Sequence, residues 1–307
     1  MNSDVIDTET SKKRPDTPEV SVVIPTYDRP AALARCLAAL EQQHYPRNRL
    51  EVIVVDDGSP TPAAEIAEQL PDDFPLVFLR QENSGPAAAR NAGAAQARGT
   101  LLVFTDDDCA PNPDWLSLLV KSAGSHPGTA IGGKTVNALA RNPFSAASQQ
   151  LVDYLYQAFN RAESKTGWMF TSNNLALPAA KFRAIGGFDA SFPRAAAEDR
   201  ELCDRWQLEG NEMHYEPSAL TEHFHRLSLA SYVRQHFNYG RGAYEVQRLR
   251  RSHGIPSRLE PLRFYVDLLR FPFGRQPFHR AVVVAALLGV AQVANAVGYF
   301  WQRRESR

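Results

Sequence analysis

Three consecutive aspartates, Asp106, Asp107 and Asp108, follow an apolar run in LLVFTDDDCAP, residues 101–111. A buried strand that surfaces into three like charges sets carboxylates where they repel one another. Their natural counterpart is something cationic, or something that carboxylates must hold. A second acidic pair, Glu198 and Asp199 in AAAEDRELCDRW, opens a helical pattern. Either residue has the chemistry of a general base, and both also suit the positive end of a helix dipole. Adjacent helical positions do not share a face, so only one of the two can aim at a given reactant. His223 and His225 in TEHFHR alternate in direction if the segment is extended, so at most one faces such a site.

The elements that must position these groups are legible in the first half of the chain. VSVVIPTY and LEVIVVDDGS are β-branched runs ending in turn chemistry. Between them AALARCLAALEQQ places Leu33, Leu37 and Leu40 on one helical face. PLVFLR then leads to a helix PAAARNAGAAQAR with Pro86 as its first residue and Gly99 closing it before TLLVFTD. Strands alternating with helices predict a mainly parallel sheet covered by helices, with ligands outside the C-terminal strand ends. Thr26 and Tyr27, Asp56 and Asp57, Asn83, and Asp106 to Asp108 all fall at those ends.

Composition narrows the function classes. The 307 residues, 44% hydrophobic and 22% charged, are globular in character. Cys36, Cys109 and Cys203 are widely spaced and odd in number, so neither a disulfide framework nor a zinc site is indicated, and a cytoplasmic setting is expected. The first 18 residues have no apolar stretch and read as a disordered polar tail rather than a signal peptide. GxGxxG does not occur, which removes the main support for a dinucleotide reading.

The order and spacing of SVVIPTYDRP, VVDDGS, NSGPAAARNAG, FTDDDCAPNPDWL, TSNNLALP, GGFDASF, AEDRELCDRW and HFHR resemble the family 2 glycosyltransferases. These are inverting, nucleotide-sugar-dependent enzymes of the GT-A fold. The resemblance implies an α/β fold, Rossmann-like, with a mainly parallel sheet flanked by helices and a helical C-terminal extension. It implies a disordered tail over 1–18, a catalytic domain over 19–226 and a helical, basic and hydrophobic region over 227–307. By the same resemblance Pro25, Thr26, Tyr27, Arg29, Asp57, Asn83, Gly85, Arg90, Asp106 and Asp107 line the nucleotide-sugar pocket. Asp106 and Asp108 form the DxD motif, and Asp108, Asp106 and His223 ligate a divalent cation, Mg²⁺ or Mn²⁺. Asp107 holds the variable middle position, which leaves open which carboxylates reach the metal. Asp199 is the base, with Glu198 supporting it or facing the acceptor. The implied donor is a nucleotide sugar, a UDP-sugar by default, and the acceptor a hydroxyl of a glycan or glycolipid. A non-catalytic nucleotide-sugar-binding subunit and a sugar nucleotidyltransferase are the alternatives.

The zero formal net charge conceals an asymmetry. Residues 221–307 hold 14 arginines against 5 acidic residues, which leaves the preceding part acidic. The arginines are interleaved with long apolar runs, a pattern that suits an anionic membrane surface better than nucleic acid. AVVVAALLGVAQVANAVGYFWQ, residues 281–302, is long enough to cross a bilayer core of about 30 Å as a helix. Gln292, Asn295 and the small residues equally suit a helix–helix seam, so spanning, lying on the membrane and packing on protein all stay open. Residues 262–302 are the expected membrane-facing segment, at the cytoplasmic face, and whether the chain forms a homo-oligomer is open.

Overall fold

The computed structural model describes residues 7–11, 14–61, 63, 66, 70–160, 168–192, 196–252, 254 and 260–306. The chain divides into two compact units. The first comprises residues up to Val136 together with Phe170–Ser191 and Leu202–Phe224; the second comprises Asn137–Met169, Phe192–Glu201 and His225–Arg307.

In the first unit, β1 (Asp7–Ser11), β2 (Val20–Thr26), β3 (Leu50–Asp56), β4 (Leu76–Arg80), β5 (Leu101–Thr105), β6 (Cys109–Pro111), β7 (Ala130–Asn137), β8 (Asn174–Pro178) and β9 (Met213–His223) form one sheet. Their order is β1-β4-β3-β2-β5-β8-β7-β9-β6. The β2–β3, β3–β4 and β2–β5 pairs are parallel, as the alternation of strands and helices predicts. The strands beyond β5 return antiparallel, with Leu101 opposite Pro178 and Cys109 opposite His223. Part of the segment expected to be disordered is ordered instead: β1 pairs antiparallel with β4. The open edge of β4 offers unpaired backbone groups, and an extended segment satisfies them whatever its side chains. Residues 1–6, 12 and 13 of that tail lie outside the described residues.

Helix α1 (Pro30–Glu41) buries Leu33, Cys36, Leu37 and Leu40, the face expected from their spacing. Helix α2 (Pro86–Gln96) begins at Pro86 and presses so closely on the sheet that a Cβ on Gly93 would lie 2.5 Å from Val23 Cγ1. Every residue of β2 and β3 is buried, which holds their C-terminal ends in fixed register. The chain runs outward from β2 through β3 to β4 and then back to β5 on the other side of β2. Such a reversal, here at the ends of β2 and β5, is where ligands of open α/β sheets bind.

Helices α3 (Trp115–Ser125), α4 (Pro143–Phe159), α5 (Ala179–Ala184), α6 (Glu198–Leu208), α7 (Leu229–Ser252), α8 (Leu262–Arg270) and α9 (Phe278–Glu305) complete the secondary structure used below. The second unit has its own apolar core, formed by Leu151 of α4, Tyr232 of α7, Leu268 of α8, and Val284, Leu288 and Ala291 of α9.

Candidate active site

The aspartate triplet sits where β5 ends beside β2. Cys109 N donates to Asp106 O at 3.1 Å, which closes the chain into a turn. In a turn, neighbouring side chains need not alternate, and the three carboxylates take three different sets of partners. Asp106 accepts from Arg90 at 2.6 Å, and that guanidinium, itself nearly buried, lies 5.6 Å from the Phe188 ring. Asp107 points inward: it is 3% exposed and accepts from Thr26 Oγ1 at 2.8 Å and Arg29 at 3.2 Å. Asp108 accepts from the same Arg29 nitrogen at 3.2 Å, and its other oxygen lies 3.1 Å from His223 Nε2.

The repulsion inherent in three adjacent carboxylates is thus offset by two arginines and a histidine, but not fully. Burial, with Asp108 and Asp106 adding and Arg29 and Thr26 opposing, pushes the Asp107 carboxyl up to about 6. Burial alone would lower the His223 imidazole; the hydrogen bond and charge of Asp108, with Asp106 behind it, more than offset this and hold it above its ordinary value. Arg29 is likewise held up, because Asp107 and Asp108 outweigh its loss of solvent.

Asp57 has a different task. It is buried, and its carboxylate accepts from Gln81 Nε2 at 2.8 Å, Ser84 N at 2.9 Å and Gly85 N at 2.8 Å. Those bonds fix the loop that leads into α2. Gly58 makes the folded loop possible: its φ is +79°, and a Cβ there would lie 2.9 Å from Asn83 N. Asn83 itself is exposed, and Gly85, at φ +89°, caps α2. Pro25 is buried in β2, whereas Tyr27 just beyond it is 47% exposed at the rim. Asp28, next in the chain, holds φ +53° and donates its N–H to Ser59 Oγ.

Two asparagines inside the sequence motifs, Asn91 and Asn174, complete the support. Asn91 and Phe188 exchange two hydrogen bonds, of 2.7 and 2.8 Å, which tie the GGFD segment to α2 beneath Arg90. Asn174 accepts from Trp115 Nε1 at 2.8 Å and donates to Ala219 O at 3.0 Å, joining β8 to β9. The signal for both was their place inside the motifs NAG and TSNN; the hydrogen bonds of their amides could not be read from spacing.

His223 and His225 fall in different units, and β9 ends at His223, so the two do not alternate along one strand. His223 meets Asp108, while His225 belongs to the second unit, where its carbonyl accepts from Ser145 Oγ. Glu198 and Asp199 also belong to the second unit, at the start of α6. Glu198 is buried and Asp199 half-buried, and Asp199 accepts from Arg200 N at 2.7 Å. Ala197, just before them, has φ +74°, a left-handed conformation that costs a non-glycine residue of order 1 kcal/mol or more. Asp28 and Ala197 are the two non-glycine residues with positive φ among the described residues, and each directly precedes a candidate site residue.

The donor set at the triplet suits a hard cation. Asp108, Cys109 and His223 each offer a ligand atom within 4.8 Å of the others. Burial, with Asp106 and Asp108, pushes the Cys109 thiol well up, and a hard cation takes carboxylate oxygen and imidazole nitrogen in preference to sulfur.

The family profile described as Glycosyl transferase family 2 matches residues 21–185, the stretch that carries β2 through β8 and the whole triplet turn. The chain belongs to this family. Validoxylamine A glucosyltransferase of Streptomyces hygroscopicus subsp. jinggangensis is 31% identical over 220 residues, covering 63% of this chain and 52% of that protein. Pre-mycofactocin glycosyltransferase of Mycobacterium tuberculosis is 29% identical over 242 residues, covering 75% and 47%. Glycosyltransferase AglE of Haloferax volcanii is 37% identical over 118 residues, covering 38% and 39%. The family 2 chain thus spans about half or less of the length of these curated relatives.

Among solved structures, the mannosyltransferase PcManGT from Pyrobaculum calidifontis, in complex with GDP-Man and Mn²⁺, superimposes with a TM-score of 0.65 at 19% identity, covering 97% of this chain and 91% of that one. TarS 1-349 of S. aureus, in complex with UDP-GlcNAc, gives 0.57 at 18% identity, covering 94% and 92%. These likenesses establish the GT-A fold, mainly parallel and flanked by helices; function must be argued from the site.

Proposed function

We propose that the chain transfers a sugar, with inversion, from a nucleoside diphosphate donor to a hydroxyl of a glycan or glycolipid acceptor. The observation that carries this reading is the Asp106–Asp108 turn at the β2–β5 reversal, with Arg29, Arg90 and His223 converging on it. Asp108 and His223, with Asp106, would hold a divalent cation; when bound, it would neutralise the charge that grows on the leaving diphosphate. The residues around them do the binding and orienting. Arg90 fixes the Asp106 carboxylate, Asp57 sets the loop that flanks the nucleotide, and exposed Tyr27 offers a ring face to the base.

Inversion requires a base on the face of the sugar opposite the diphosphate, and Asp199 is assigned to take the proton of the attacking hydroxyl. The strained turn at Ala197 supports that assignment, because left-handed backbone at a non-glycine residue persists where the surrounding structure enforces it. Glu198, buried beside it, supports the helix start. The uridine diphosphate sugars are the default donors; the two structural neighbours were solved with GDP-Man and UDP-GlcNAc, so both bases belong in the test. Cys36, Cys109 and Cys203, buried as thiols, accord with a cytoplasmic setting.

The experiment is thermal denaturation across UDP- and GDP-sugars with Mn²⁺, Mg²⁺ or chelator, followed by transfer assays with the stabilising donor. A donor that raises the melting temperature with the ion and not with chelator supports the reading. Stabilisation by no nucleotide sugar under either condition refutes it.

A further inference from the structure

Helix α9 carries no charge between Arg280 and Arg303, and its 28 residues make it about 42 Å long, enough to cross a membrane by length and composition. One side of it, however, is committed to protein. A Cβ on Gly298 would lie 1.9 Å from Phe237 O, and one on Gly240 would lie 1.9 Å from Asn295 O, so α7 and α9 touch backbone to backbone. Buried Gln302 donates to Glu245 at 2.8 Å and accepts from Arg241 at 2.7 Å, and Tyr299 donates to Gln247 at 2.7 Å. A helix seated on the arginines and glutamate of α7 cannot enter hydrocarbon with them.

The opposite side is apolar and open to solvent along its whole length. Val282, Val290, Val293, Val297, Phe300 and Trp301 are 45, 40, 65, 52, 57 and 54% exposed. Leu262, Val266, Leu269 and Phe273 continue the pattern along α8 and the turn after it, with Leu262 80% exposed. An exposed apolar stripe of this extent marks an interaction surface.

Charge identifies the occupant. Arg263, Arg270, Arg280, Arg303 and Arg304 are all exposed. The acids of α8 and α9 are already engaged, Asp267 with Arg263 at 3.4 Å and Glu305 with Arg241 at 2.9 Å. Both ends of α9 are therefore basic. A second copy laid antiparallel on this stripe would set Arg280 against Arg303 and Arg304, and a parallel copy would set each arginine against its twin. An anionic lipid surface meets no such repulsion. Aromatic residues at the two ends, Phe273 and Phe278 at one and Phe300 and Trp301 at the other, are the types that favour the headgroup level.

We infer that α8 and α9 lie in the plane of an anionic bilayer, with the valine stripe in the headgroup–acyl boundary and the arginines on lipid phosphates, and that α9 does not cross it. This docking is independent of the sugar-transfer reading and stands or falls by a binding measurement. The test is flotation of the full chain with vesicles of phosphatidylglycerol or of phosphatidylcholine. The chain should float with the former only, detach in high salt and in alkaline carbonate, and show a blue-shifted tryptophan emission quenched by brominated lipid. Trp301→Phe should float but lose most of that quenching, since Trp115 and Trp206 are fully buried and half-buried Trp168 lies outside α8 and α9. The pair Val293→Asp and Val297→Asp, both on exposed positions, should weaken binding by at least about tenfold. Arg303→Glu with Arg304→Glu should cost about fivefold or more per residue. Absence of flotation, retention after carbonate as a spanning helix would show, or a dimer in sedimentation that the aspartate pair dissociates without any lipid binding would each overturn the inference.

Discussion

His236 allows the acid stability of the second unit to be worked out from its surroundings. The residue lies on α7, is 0% exposed, and neither ring nitrogen has a hydrogen-bond partner. Tyr232 meets the ring edge-on with centroids 4.4 Å apart, and Tyr239 lies at 5.5 Å. Burial, with a smaller push from the neighbouring His225, lowers its pKa from 6.5 to about 4. The folded chain therefore binds this proton less readily than the unfolded chain, and stability is lost as pH falls from 6.5 toward 4. Linkage puts the loss at about 2 kcal/mol by about pH 5, and about 3 kcal/mol once both states are protonated. His236→Leu keeps an apolar group in the same space and removes the titration. It should fall within about 1 kcal/mol of the parent at neutral pH, because the lost imidazole was unpartnered. It should then pull ahead by about 2 kcal/mol near pH 5. Urea unfolding followed by circular dichroism, repeated across that range for both chains, gives the difference directly and cancels every group the two share. A gap that stays flat from neutral pH to pH 5 would refute the reasoning.

Three further outcomes follow from the geometry. Asp108→Ala removes the carboxylate that faces His223, so Mn²⁺-dependent donor binding by calorimetry should weaken by about a hundredfold or more; unchanged affinity would remove the metal role. Asp199→Asn should lower turnover by about 10² to 10⁴ with donor affinity little altered, while Glu198→Gln retains most of the rate; the reverse pattern in initial-rate assays would move the base to Glu198. Gly298→Val forces a side chain against Phe237 O and should cost about 3 kcal/mol, whereas Gly289→Ala, with nothing within 4 Å, should gain up to about 1 kcal/mol from helix propensity. Melting temperatures that move in the same direction for both would contradict the close α7–α9 seam.

The sequence reveals the parts of the fold governed by period. Leu33, Leu37 and Leu40, the β-branched strands and Pro86 at the head of α2 all stand where alternation and helix punctuation put them. The antiparallel strands β7, β8 and β9 follow no such alternation, since a return strand is set by what it pairs with, and Asn174 does that pairing through a buried amide. The N-terminal strand escapes composition for the same reason: β1 is held by the open backbone edge of β4. For the C-terminal segment, hydropathy cannot separate a helix that crosses a bilayer from one seated on α7. The deciding residues are Gly240 and Gly298, whose missing side chains are read only once the two backbones are seen to meet.

At the site, the types were legible and the tasks were not. Spacing marks three aspartates but cannot tell which way each one turns, because the chain leaves its strand at Thr105 and residues in a turn do not alternate. The middle residue, which the DxD pattern treats as variable, proves to be the most buried of the three and the one that Thr26 and Arg29 both hold. Arg29, placed at the nucleotide by the family resemblance, has its guanidinium across Asp107 and Asp108. A carboxylate held up to about 6 by its burial and its neighbours is expensive to keep ionised, and the chain keeps it beside two others at the strand ends where the sheet topology reverses. Local cost accepted at a topologically favoured binding position is the physical argument for function there, since a residue chosen for stability alone would not be charged.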